Sequence, residues 1–218
     1  MTPDFWTERW KKNEIGFHQK SVHELLERYW PEVDAKPGSS VLIPLAGKSL
    51  DMVWLAENGY EVFGIELSEL AVSDFFKERG LKPDAVSQDS GTLNFGGPYT
   101  LWCGDFFAVP ASATAHIGAV YDRASLVALP PSMRAVYAKH LMTLTPKSTK
   151  MLLISLDYNA DQMNGPPFPV PPTEVIQLFQ PYASVRLLEE REVISTHPQF
   201  KSKGVSSLRE SAYVLERL

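Results

Sequence analysis

From residue 40 onward the chain alternates short apolar runs with amphipathic segments, a pattern that confines it to a sheet linked by helical crossovers. Ser40-Val41-Leu42-Ile43-Pro44-Leu45 has the continuous apolar character of a strand buried on both faces. Gly47 punctuates it, Ser49 is placed to cap a helix carrying Leu50, Val53 and Trp54, and Asn58-Gly59 closes that helix. Tyr60 to Glu66 reads as a second strand. Ser68 caps the next helix, with Leu67, Ala71 and Phe75 on one side and Gly80 at its end. Residues 81–98, with Gly91, Gly96, Gly97 and Pro98, read as loop. Tyr99–Cys103 and Ala119–Tyr121 are expected as the third and fourth strands, and Met151–Leu156 as the fifth. Between the last two, Met133, Val136, Tyr137, His140, Leu141 and Leu144 recur at helical spacing from Pro131 onward.

A proline-rich loop, Gly165-Pro166-Pro167-Phe168-Pro169-Val170-Pro171-Pro172, precedes a helix expected over 173–180. Ser184–Glu189 and Ser211–Leu215 have no helix between them, so they are expected to pair antiparallel at one sheet edge. At the other end of the chain, residues 5–12 form a short helix that offers Phe5, Trp6 and Trp10 for packing. Val22, Leu25, Leu26 and Tyr29 make an apolar stripe that Pro31 ends. The pattern therefore predicts a single α/β domain over residues 1–218. It has a seven-stranded, mostly parallel sheet whose last strand is antiparallel, helices on both faces, and residues 1–35 as an N-terminal helical lid.

A net charge of −5 disfavours a nucleic-acid partner, and no apolar stretch approaches the roughly 20 residues a membrane span requires. One cysteine, Cys103, excludes an intramolecular disulfide; it is expected to pack as a small buried hydrophobe, and the reading is a cytoplasmic protein. No basic stretch followed by an apolar run opens the chain. His18 and His23 have no third ligand at a suitable spacing, so no metal site is expected.

Ligands of open α/β sheets bind beyond the carboxyl ends of the strands, which here are Leu45-Ala46-Gly47-Lys48, Glu66, Gly104-Asp105-Phe106 and Asp122-Arg123. Glu66 closes the second strand in the slot where a carboxylate accepts hydrogen bonds from ribose hydroxyls. The Gly47-Lys48-Ser49 run is not a phosphate loop, because Leu42 occupies the place of the required earlier glycine. The full GxGxxG pattern is missing too, which argues against a nicotinamide dehydrogenase. A loop with one glycine suits a ligand without phosphate, such as S-adenosylmethionine, because Gly47 allows close backbone approach. Asp105 could accept from an adenine amino group and Phe106 could stack on the ring, whereas Phe107 reads as core. Arg123 can hold an anion, or else form an ordinary ion pair with Asp122 or Glu66.

Several ordered motifs resemble the thiopurine S-methyltransferase family in its bacterial form. They are Phe5-Trp6-x-x-x-Trp10, Gly16-Phe17-His18, Pro44-Leu45-x-Gly47-Lys48-Ser49-x-Asp51-x-x-Trp54-Leu55-Ala56, Gly64-Ile65-Glu66-Leu67-Ser68-Glu69-Leu70-Ala71, Tyr121-Asp122-Arg123-Ala124 and Gly165-Pro166-Pro167-Phe168-Pro169-Val170-Pro171. The resemblance implies a class I methyltransferase fold. It implies a cofactor site at Trp10, Leu45, Gly47, Glu66, Gly104, Asp105, Phe106 and Arg123, with Phe17 and Trp6 facing substrate. It further implies methyl transfer from S-adenosylmethionine to the sulfur of small aromatic or heterocyclic thiols, and in bacterial members a role toward selenium or tellurium compounds. Arg123 is the expected orienting group for the anionic acceptor, with Asp122 a second candidate for accepting a proton. Ala46 replaces a cysteine usual in the family, a packing change. Gln199 stands where arginine is common, which removes one substrate-facing charge. The alternatives are an oxygen or nitrogen acceptor and a non-catalytic cofactor-binding protein. A monomer without nucleic-acid or membrane partners is expected.

Overall fold

The structure, a computed structural model, describes residues 3–16 and 18–218. The chain opens with two helices, α1 (Pro3–Lys11) and α2 (Glu24–Tyr29), and then enters the alternating region. There β1 (Ser40–Ile43), α3 (Leu50–Glu57), β2 (Glu61–Glu66) and α4 (Glu69–Glu78) follow one another. Both expected caps form: the Ser49 hydroxyl accepts from the Asp51 N–H at 3.1 Å and the Ser68 hydroxyl from the Ala71 N–H at 3.3 Å.

Residues 81–98 are not loop. They form a hairpin of β3 (Asp84–Gln88) and β4 (Gly91–Gly96) that pairs antiparallel with β5 (Tyr99–Cys103). The apolar pattern was silent because every residue of β3 is exposed: backbone pairing, and not core burial, holds this strand. Gly91 is also required there, since a Cβ would sit 2.5 Å from the Trp102 indole nitrogen.

The remaining elements are β6 (Ile117–Arg123), α5 (Ser125–Ala128), α6 (Pro131–Thr143), β7 (Lys150–Asp157), α7 (Pro172–Phe179), β8 (Ala183–Glu192), α8 (Pro198–Lys201) and β9 (Arg209–Arg217). The nine strands lie in the order β3-β4-β5-β2-β1-β6-β7-β9-β8. The five central strands, β5 to β7, are mutually parallel, and β9 is antiparallel to both β7 and β8. The seven expected strands are present in this arrangement, with the hairpin added at the β5 edge. The closing pair is linked by the short helix α8, where none was expected.

Successive strand residues serve opposite faces, as the period of two demands. Leu42, Phe63 and Leu153 join the layer that contains α6 and α7, while Val41, Val62 and Leu152 join the layer that contains α2, α3 and α4. Among the described residues, no helix is long and apolar enough to cross a membrane.

Candidate active site

Strand order reverses between β1 and β6, so the loops leaving these strands diverge and open a crevice at their carboxyl ends. The cavity there measures about 910 Å³, within the range of about 300–1,000 Å³ typical of small-molecule sites. Trp6, Trp10, Leu45, Gly47, Glu66, Gly104, Asp105, Phe106 and Arg123 all line it.

Glu66 is buried where β2 ends. One carboxylate oxygen accepts the Gly47 N–H at 2.8 Å and the other the Ser68 N–H, also at 2.8 Å. Burial pushes its pKa up, and the amides of Ser68, Gly47 and Leu67 push back. Each oxygen keeps a second lone pair for a ligand hydroxyl. Gly47 sits at φ +55°, and the Trp10 ring lies 3.3 Å from where a Cβ would be, so glycine is needed both for the turn and for the packing of that indole. Leu45, two residues earlier, also takes the left-handed conformation, at φ 48°.

Just past β5, the Gly104 N–H donates to the Glu66 carbonyl oxygen at 2.9 Å, tying the two strand ends together. The Asp105 carboxylate accepts the Phe107 N–H at 3.0 Å and otherwise stands exposed. Phe106 is the more buried of the two aromatics and packs on Tyr137, with ring centroids 4.9 Å apart. Phe107, expected as core, is half-buried and lines the cavity as well. Cys103, expected to be buried, is half-buried at the end of β5; burial, then the charges of Glu69 and Glu66, push its thiol up to about 11.

Arg123 pairs neither with Asp122 nor with Glu66. Its Nε donates to Asp51 at 3.0 Å, on the same carboxylate oxygen that receives the Tyr121 hydroxyl at 3.0 Å, and the other Asp51 oxygen accepts the His23 N–H at 2.9 Å. The two terminal guanidinium nitrogens have no protein partner among the described residues. Asp122 does not reach the cavity. It is fully buried beneath it, accepting the Tyr137 hydroxyl at 2.6 Å, because adjacent residues of a strand face opposite sides of the sheet. Burial raises its pKa to about 6 against the opposing hydrogen bond from Tyr137. The expectation that Asp122 faces the cleft beside Arg123 is therefore corrected. Phe17 lies outside the described residues.

Spacing alone did not reveal a charged network that joins α2 to the closing strands. His23 Nε2 meets Glu210 Oε1 at 2.9 Å, Arg191 reaches Glu210 Oε2 at 2.8 Å, and Arg191 also holds Glu24 at 2.9 Å. Burial alone would raise Glu210, but His23 and Arg191 hold it at about 2. The partners lie 187 and 19 residues from Glu210, so only Asp51, inside a quoted motif, carried a signal. Lys48 is drawn to Glu78 and Asp74, which leaves no cation in that loop for a phosphate.

The family model described as thiopurine S-methyltransferase (TPMT) matches residues 1–218. The chain is 46% identical over 217 residues to a protein of Pseudomonas putida named thiopurine S-methyltransferase, covering 100% of both chains. It is 45% identical over 216 residues to one of the same name from Methylococcus capsulatus, covering 99% of this chain and 97% of the relative. Among solved structures, the Burkholderia thailandensis 1,6-didemethyltoxoflavin-N1-methyltransferase with bound S-adenosylhomocysteine superposes with a TM-score of 0.66 at 10% identity, over 99% of this chain and 86% of the other, a likeness of fold.

Proposed function

The chain belongs to the thiopurine S-methyltransferase family, and from that membership we infer that it transfers a methyl group from S-adenosylmethionine to the sulfur of small aromatic or heterocyclic thiols. The observation that carries this reading is the opening of Glu66 and Arg123 onto one cavity at the sheet's switch point.

The residues suit the donor. A carboxylate oriented by two backbone amides accepts the two hydroxyls of a ribose, and an indole over Gly47 gives an aromatic face to a sulfonium or an adenine. When bound, S-adenosylmethionine supplies a methyl carbon attached to positively charged sulfur. Glu66 and Gly47 position the donor, and Trp10, Leu45 and Phe106 wall it in. Arg123, fixed by Asp51 through Nε, turns its remaining nitrogens to an anionic acceptor.

Charges of opposite sign approach and cancel in this reaction, so strong solvation would favour the separated reactants. The chain therefore accelerates transfer by alignment and by excluding water. Alignment alone is worth about 7–11 kcal/mol in favourable cases. The apolar wall of Val127, Leu129, Met133 and Met163 supplies the dry side. Residues 1–35 act as a lid on a single domain spanning 1–218, a reading supported by Trp6, Trp10, His18 and His23 at the cavity. The protein acts as a cytoplasmic monomer.

The test is incubation of the protein with labelled S-adenosylmethionine and a panel of thiols, selenols, phenols and amines, with selenite and tellurite added. Label is expected on aromatic thiols first. Label confined to phenols or amines would refute the sulfur assignment.

A further inference from the structure

An acceptor thiol must lose its proton, and the groups already described are poor candidates to take it. Asp122 is sealed beneath the cavity. Glu66 is bound to two amides, and Asp51 receives three donors. Glu210 is held ionised by His23 and Arg191, which makes it a weak base. His23 has both ring nitrogens engaged, one accepting the Leu25 N–H and the other meeting Glu210. His18 lines the cavity within reach of the charges of Lys48, Glu78, Arg123 and Arg79; burial first, then the Lys48 charge, push it down, which makes it a weaker base.

The connection between β8 and β9 is different. Arg209 pairs with Asp157 at the carboxyl end of β7 and with Glu192 at the end of β8, so residues 193–208 must stand over the mouth of the cavity. This segment has its own small core, in which Val193, Phe200, Val205 and Leu208 pack with Tyr158 and Met163. His197 lines the cavity from that segment, together with Gln199 and Lys203.

One ring nitrogen of His197, Nδ1, lies 2.9 Å from the Val193 carbonyl oxygen. A carbonyl oxygen can only accept, so Nδ1 carries the hydrogen. The Thr196 hydroxyl, 2.9 Å from the same carbonyl and 3.1 Å from Nδ1, completes the arrangement. In the neutral ring this sets the tautomer: the hydrogen is on Nδ1 and the lone pair on Nε2, which has no protein partner among the described residues. A backbone-oriented imidazole with an open basic nitrogen is how a general base is built.

From this geometry we propose that His197 is the general base of the methyl transfer, accepting the thiol proton on Nε2 and so extending the acceptor range to weakly acidic thiols. The inference rests on the S-methyltransferase reading above. The S–H proton passes to Nε2, and the S–H electron pair remains on the acceptor sulfur and forms the new S–CH3 bond. The bond from the methyl carbon to the donor sulfur breaks with its pair going to that sulfur, and the imidazolium returns its proton to water.

The test is a series of thiols of graded acidity, assayed with wild type, His197→Ala and His18→Asn, and with S-adenosylmethionine affinity measured separately as a check on folding. His197→Ala is expected to lose about 100-fold in kcat/KM on alkanethiols, but less than about threefold on arenethiols already ionised at the assay pH. Added imidazole is expected to restore the alkanethiol rate. Equal loss across the series, no loss, or an acidity-dependent loss in His18→Asn in place of His197→Ala would overturn the assignment. A wild type that methylates no thiol at all would overturn the function as well, so the two failures are distinct.

Discussion

Arg123 and Asp122 are neighbours in sequence with opposite fates. Arg123 opens on the cavity, while Asp122 is enclosed with Tyr137. Arg123→Ala is therefore expected to lower turnover by about 10²-fold, the scale on which removing a transition-state donor is felt. Asp122→Asn should keep turnover within about threefold, because a lost general base would cost about 10²–10⁴. Steady-state kinetics of the two variants check this, and a large loss in Asp122→Asn would return it to the mechanism. Glu210 carries a pH signature. Its pKa falls from an ordinary 4.5 to about 2 in the folded protein, so the stability it contributes is complete above 4.5 and drains away as pH falls toward 2. That span corresponds to about 3 kcal/mol. Urea unfolding at pH 7 and pH 3 should show wild type losing more stability on acidification than Glu210→Gln; equal losses would mean that the network does not hold this carboxylate.

At the scale of elements, β2 is the strand on which the site is mounted, since it ends in Glu66. It can lie against its neighbours only because Gly64 has no side chain: a Cβ there would come 2.5 Å from Leu101 Cδ2 on β5, and 3.2 Å from the Ala46 Cβ. Gly64→Ala should therefore destabilise by about 1–3 kcal/mol, the usual penalty of overpacking. A denaturant midpoint unchanged from wild type would show that Leu101 yields freely. The hairpin of β3 and β4 makes the complementary point. It adds strands to the sheet without adding a buried apolar stripe, so its contribution lies in pairing with β5 and in covering Trp102 through Gly91.

For the molecule as a whole, donor binding and folding are linked, because the site is assembled from strand ends far apart in the chain. A ligand at 100 times its Kd stabilises the native state by about 2.7 kcal/mol, so S-adenosylmethionine should raise Tm clearly. Glu66→Ala should lose most of that rise at the same concentration, since its Kd is expected to increase by about 10²-fold or more when a charged acceptor is removed. A full shift in that variant would sink the ribose assignment. The sequence by itself determined the β–α alternation, the caps at Ser49 and Ser68, and the placing of Glu66 and Arg123 at strand ends. These follow from periodicity and capping, which are local properties of the chain. Only the tertiary structure decided that Asp122 is enclosed with Tyr137, that Asp51 takes Arg123, that the β3–β4 hairpin forms, and that His197 comes to the cavity mouth. Each depends on which strand pairs with which, and pairing joins residues whose separation along the chain leaves no periodic mark.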